Sequence, residues 1–217
     1  MADVIAQGIH KVADSEFGDK LKQLLRNCIQ KAIELCGKDG GFLHNDLIKI
    51  KFPAQLAPVE KVARKIGKGD KIDHCEDNMN TAAESAVPKL TEIFLKAIEA
   101  LSLHEAKGII QGEDTSAGTK YLQSNCNSEL DTAVTPHIQE AMEGTGAHSS
   151  WEKVKKSLSK TPAKGKTDFD MVKYVVEMTL NGLFKVCAQF EEQYRKHMEE
   201  KIDSVPHVPH IPHIPHS

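Results

Sequence analysis

DFDMVKYVVEMTLNGLFKVCAQFEEQYRKHMEEKI, residues 168–202, reads as one long helix. Val172, Val175, Val176, Thr179, Leu180, Leu183, Phe184, Cys187, Phe190 and Tyr194 recur at spacings of three and four. That period returns side chains to one face of an α-helix, whereas a half-buried strand needs strict alternation. The face is broad enough to serve two neighbours, so a homo-oligomer joined through 168–202 is an expected arrangement.

Upstream of this helix the same period persists. TPAKGK (161–166) is a polar connection, preceded by helices expected at 150–159, 128–143 and 115–125, with Ser149 and Glu152 spaced as a cap. Ser102 followed by Glu105 is a capping-box pattern that opens a helix ending near Gly112. Residues 70–101 are helical with a break at Pro88. Residues 55–67 form a short basic helix with Leu56, Val59, Val62, Ala63 and Ile66 on one side, and 17–36 form another, ended by Gly37, Gly40 and Gly41. Only GFLHNDLIKIKFP (41–53) shows alternation, at Leu47 to Phe52, and Pro53 stops it. The expected fold is therefore all-α. A single compact domain of about eight helices spans 1–203, with at most one short extended segment near 47–52 and a flexible tail at 204–217. No repeat of 20–50 residues is present.

Composition bounds the partners. The 217 residues are 40% hydrophobic and 27% charged, the balance of a globular chain, while aromatics at 5% leave the core to Leu, Ile, Val, Ala and Met. Lys and Arg total 28 against 31 Asp and Glu, a net charge of −3 that gives no bulk attraction to nucleic acid. No run approaches the ~18 apolar residues of a membrane helix, and MADVIAQGIHKVADSEFGDK lacks the apolar core of a secretory signal, so a cytoplasmic location is the default expectation. Five cysteines cannot all pair internally. Cys28 and Cys36, eight apart on one helix, are separated by about 12 Å of rise. Reduced, buried thiols are expected.

The segment SVPHVPHIPHIPHS (204–217) is different in kind, repeating Pro-His-(Val/Ile) with a period of three. Proline at every third position excludes helix and sheet ladder and favours polyproline II. His207, His210, His213 and His216 then lie along one edge, as candidate ligands for Zn²⁺, Cu²⁺ or Ni²⁺. Successive histidines on a straight polyproline II helix stand ~9 Å apart. Ligands of one ion must each lie ~2.0–2.1 Å from it, so the tail must bend, or several tails must meet, and binding is expected to be loose. Charging all 11 histidines would carry the net charge from −3 to +8, which predicts a response to mild acid.

Several segments resemble a bacterial family, the domain-of-unknown-function 4197 family. Gly41, Phe42, Leu43 and Asn45 match its G-F-L-x-N segment, and Ile48, Ile50 and Pro53 match the short apolar alternation and proline after it. DNMNTAAESAVPKLTEIFLKAI contributes Met79, Asn80, Ala82, Ala83, Glu84, Ala86, Val87, Pro88, Ile93, Phe94, Ala97 and Ile98. GEDTSAGTKYL adds Gly112, Asp114, Ala117, Thr119 and Tyr121, and TLNGLF adds Leu180, Gly182, Leu183 and Phe184. The resemblance implies a helical fold and carries no assigned activity or catalytic residues. Relatives generally begin with an export signal and end in a basic-apolar tail; the Pro-His repeat departs from that pattern and reads as a separate addition.

Chemistry beyond the tail rests on three further features. Asp73, Asp77, Asn80 and Glu84 fall on one stripe of a helix, where carboxylates can hold Mg²⁺ or Ca²⁺, or can pair with Lys61, Arg64 and Lys65 instead. Residues 49–71 and 152–166 each carry a surplus of five positive charges, suited to phosphates or an anionic membrane surface, although Phe52 and Trp151 alone supply little base stacking. Gly67-Lys68-Gly69 lacks the full phosphate-loop pattern and fits a helix C-cap better. His44 and His148 fall in expected loops, and HExxH, GxSxG and CxxC are absent. The leading expectation is a non-enzymatic helical protein whose tail binds divalent transition metals and responds to acid. The alternatives are a released, toxin-like or defensive protein acting on membranes, and a metal-dependent hydrolase using Asp73, Asp77 and Glu84.

Overall fold

Apolar side chains at helical spacing build eight α-helices among the described residues. The structure, a computed structural model, describes residues 2–158, 160–161 and 168–203. The helices are α1 (Ala2–Gly37), α2 (Ala57–Lys65), α3 (Gly69–Ala86), α4 (Thr91–Ala100), α5 (Leu103–Gln111), α6 (Ala117–Gly144), α7 (Ala147–Leu158) and α8 (Met171–Asp203). Short 3-10 turns precede α2 (Ala54–Leu56) and α4 (Val87–Leu90). The second contains Pro88, so the helical run expected over 70–101 is broken where proline removes an amide donor.

α8 packs between α1 and α6, whose buried side chains Leu25, Cys28, Ile29, Leu122, Cys126 and Leu130 meet Val176, Leu180 and Leu183 in one continuous core. The breadth of the α8 face is thus accounted for by two neighbours within the same chain. Phe94 of α4 meets Phe184 of α8 edge to face, with centroids 5.6 Å apart. α7 lies over α2 and α3, burying Trp151, Val154 and Leu158, and Trp151 stands 5.9 Å from Phe52.

Three expectations are corrected, while residues 47–52 stay within the expected limit of at most one short extended segment. α1 begins at Ala2, not near 17. The segments 115–125 and 128–143 are one helix, α6, because Leu122, Cys126, Leu130, Val134, Ile138 and Met142 form an unbroken i, i+4 seam against the core. Pro136 sits within α6 on its exposed side, as does Thr132, whose carbonyl is the one left without a helical donor. α7 starts at Ala147, so Ser149 is not its cap; its hydroxyl donates to the Gly146 carbonyl at 3.1 Å, and His148 lies inside the helix instead of in a loop. Residues 47–52 form no strand. Leu47 and Ile48 close a turn in which the Ile48 and Lys49 amides donate to the Asn45 carbonyl at 3.0 and 2.8 Å.

The Ser102–Glu105 capping box forms as expected. Ser102 Oγ accepts from the Glu105 amide at 3.3 Å, and the Ser102 amide donates to the Glu105 carboxylate at 2.8 Å. The Ser102 hydroxyl also donates to that carboxylate at 2.5 Å, and this bond first, then that from the Ser102 amide, holds the Glu105 carboxyl below its ordinary range. All five cysteines are free and buried. Burial pushes the thiols of Cys36, Cys75 and Cys187 up to about 12, and Cys126 up to about 11.

Candidate functional site

The acidic stripe of α3 does not remain a stripe. Asp73 is exposed and accepts from Arg64 Nη2 at 2.7 Å, so it forms the ion pair with the preceding helix that competes with metal binding. Arg64 is held between Asp73 and Glu60, whose Oε1 accepts from its Nε at 2.8 Å. Asp77 is exposed. Glu84, in contrast, is 4% exposed and turned toward the loop after α1. It accepts the amides of Gly40, Phe42 and Leu43 at 3.1, 2.9 and 2.9 Å. Three convergent N–H groups form a cradle that satisfies a buried carboxylate. Asp73, Asp77 and Glu84 are therefore not assembled as a metal-dependent hydrolase site: Glu84 is engaged by the loop and Asp73 by Arg64.

The loop is tied to α3 at two further points. Asn80, fully buried, accepts the Ile50 amide at Oδ1 and donates from Nδ2 to the Ile50 carbonyl, each at 2.8 Å. One side-chain amide thereby pairs both backbone groups of Ile50, as a neighbouring strand would. Glu76 accepts the Phe52 amide at 3.2 Å. The alternation at 47–52 thus reflects Ile48, Ile50 and Phe52 facing the core, while α3 side chains serve the backbone of Ile50 and Phe52. The turn also demands close approach at Gly41, where a Cβ would fall 2.4 Å from the Leu35 carbonyl oxygen.

A second carboxylate cradle is one that no motif in the sequence announces. Glu191 of α8 is fully buried and accepts the Gly118 and Thr119 amides at 3.0 and 2.7 Å, together with the Thr119 hydroxyl at 2.7 Å. Gly118 and Thr119 lie in the first turn of α6, whose amides lack helical partners, so an anion there satisfies them and complements the helix dipole. Arg195, one turn along α8, donates to Glu191 from Nε and Nη2 at 3.1 and 2.9 Å. Only the i, i+4 spacing of Glu191 and Arg195 hints at this arrangement, and that spacing is common on solvated helices.

Both cradles fall on segments that carry the family resemblance: Phe42, Leu43 and Glu84 belong to the first, and Thr119 to the second. Gly182 adjoins the first, since a Cβ there would come 2.7 Å from Phe42 Cε1. These segments are the fastenings of the fold.

One open cleft carries charges of both signs, Asp70 beside Lys71 and Lys153. This cleft of about 450 Å³ runs between α3 and α7, lined also by His74, Asn78, Ser149 and Ser150. Lys71 Nζ stands 3.2 Å from Ser157 Oγ, so the last turn of α7 lies against the first turn of α3. Of the two basic stretches, the part of the first around Lys71 is thereby brought beside the last turn of α7, the described start of the second. The Gly67 turn that joins α2 to α3 is a C-cap, with Gly67 at φ 73° and the Lys68 amide donating to the Ala63 carbonyl at 2.8 Å. Ile66, expected on the apolar side of that helix, is instead 45% exposed because the cap lifts it out of register with Val59 and Ala63.

Among the described residues no group of three His, Cys, Asp or Glu side chains is placed to hold a metal ion, and no helix is long and apolar enough to cross a membrane. His207, His210, His213 and His216 lie outside the described residues. No curated protein and no solved structure matches the chain. The family described as "Protein of unknown function (DUF4197)" matches residues 11–206, and the chain belongs to that family.

Proposed function

We propose that this is a binding protein, without catalysis of its own, whose Pro-His tail takes up divalent transition metals and changes charge in mild acid. The observation that carries the reading is the three-residue period of His207, His210, His213 and His216 in the sequence, a spacing that polyproline II geometry, with three residues per turn, would align on one edge. Support comes from the way the body occupies its own reactive groups. Its five thiols are buried and held in the neutral form, Glu84 is engaged by backbone amides, and Glu191 by amides, the Thr119 hydroxyl and Arg195. Metal uptake then falls to side chains beyond α8.

Neutral imidazole is the ligand form, so uptake weakens as pH falls through the ordinary histidine range near ~6.5. The test compares the full chain with a full-length variant carrying His207→Ala, His210→Ala, His213→Ala and His216→Ala, titrated with zinc and with copper. Binding that disappears in the variant and at acid pH supports the reading. Equal binding by both chains removes the tail from the account.

A further inference from the structure

The turn between α2 and α3 gathers exposed lysines around an exposed apolar side chain. Residues 60–73 and 152–161 meet through the Lys71–Ser157 contact and together hold nine Lys and Arg against four Asp and Glu. This surplus of five stands on a chain whose net charge is −3, so the remaining residues carry a surplus of eight acids. The local balance at this turn is thus opposite in sign to that of the chain as a whole. Within this corner of the surface the charges are unequally available. Arg64 is neutralised by Glu60 and Asp73, and Lys155 pairs with Glu152. Lys61, Lys65 and Lys68 are exposed and make no ion pair among the described residues. At their centre stands Ile66, 45% exposed, beside Gly67, whose ideal Cβ would meet nothing within 4 Å.

We infer that this corner docks on an anionic lipid bilayer, with Lys61, Lys65 and Lys68 against headgroup phosphates and Ile66 entering the interface. A basic cluster near an anionic leaflet gains attraction that falls off within a Debye length, and an apolar apex among the lysines adds burial on entering the bilayer interface. A nucleic acid would reward the lysines but not Ile66. It would also seek an open aromatic face, whereas Phe52 and Trp151 are 7% and 3% exposed. Docking here is independent of metal uptake, because it uses no residue of the tail.

The test uses the full chain and sedimentation with vesicles of phosphatidylcholine alone or with about 30 mol % phosphatidylserine, at ~pH 8 where histidine is neutral. The wild type is expected to partition at least about tenfold more strongly onto the anionic vesicles, and rising salt should reverse this. Lys65→Ala with Lys68→Ala should lose about tenfold or more of that partition. Ile66→Ser should weaken it further than its unchanged charge allows. The variant lacking all four tail histidines should bind as the wild type does; loss of binding there would overturn the assignment to this corner. It is overturned equally if anionic and neutral vesicles bind alike, or if the lysine variant is unaffected. A random-sequence oligonucleotide that displaces the vesicles and binds the Ile66→Ser chain as tightly as the wild type would replace the bilayer with nucleic acid.

Discussion

Replacing Glu84 by alanine should be among the most damaging single changes in this protein. The carboxylate accepts three amides at 2.9–3.1 Å, of which the Phe42 amide is buried and those of Gly40 and Leu43 are partly so. Hydrogen bonds to a charged group each contribute about 1.5–3 kcal/mol net, and a buried donor left unpaired costs about 1–3 kcal/mol. Water can reach the two partly buried amides and recover some of the loss, whereas the Phe42 amide stays dry. The expected destabilisation is about 3–5 kcal/mol, a large share of the ~5–15 kcal/mol typical of a domain. Glu84→Gln should cost less, about 1–3 kcal/mol, because its single carbonyl oxygen can keep the Phe42 and Leu43 amides while its NH₂ faces Gly40 N–H. Asp77→Ala, at an exposed position on the same helix, should stay within about 0.5 kcal/mol of wild type. The assay is urea unfolding followed by the fluorescence of Trp151, the only tryptophan, which packs against Phe52 of the loop in question. A Glu84→Ala chain within about 1 kcal/mol of wild type, less than one hydrogen bond to a charged group contributes, would refute the cradle, as would an Asp77→Ala chain equally impaired.

Three further outcomes are expected. Glu191→Ala should cost about 3–5 kcal/mol by stranding Arg195 and the first-turn amides of α6, and a double-mutant cycle with Arg195→Ala should show strong coupling; additive losses would count against the pair. Gly182→Ala should cost about 1–3 kcal/mol, since its methyl would press on Phe42 and Ile48, and an unchanged urea midpoint would show that the loop gives way freely. Cys75 titrates at about 12 in the folded chain against an ordinary 9.0, chiefly through burial, so the folded state retains a proton that the unfolded state releases. Its stabilising contribution is complete below pH 9.0 and is lost as pH rises toward 12, which alkaline unfolding should reveal; aromatic disulfide reagent should meanwhile find the five thiols silent until urea unfolds the chain.

Features that depend only on neighbours along the chain were legible in the sequence. The seam of α8, the Ser102–Glu105 box, the interruption at Pro88 and the C-cap at Gly67 each depend on spacings of five or fewer, and each forms. The splitting of α6 erred on the same scale, because Asn127 and Ser128 are poor helix formers that the Leu122–Cys126–Leu130 seam overrides. The fate of polar residues was far less legible. Asp73, Asp77 and Glu84 look alike as a periodic polar face, yet only the placement of residues 40–43 decides that Glu84 is interior. Glu191 was invisible for the same reason, its partners lying 72 and 73 residues upstream. Of the candidate metal ligands, the four tail histidines fall beyond the described residues, and the acidic set is dispersed by geometry.

The two buried carboxylates have a consequence for the kinetics of backbone opening. First-turn helical amides such as those of Gly118 and Thr119, and loop amides such as that of Phe42, ordinarily exchange their protons with solvent readily. Here each is held by an anion anchored on a different helix, so deuterium should enter them only when α3 parts from the loop or α8 from α6. They become reporters of how the helices separate, telling whether the assembly breathes as one unit or in two.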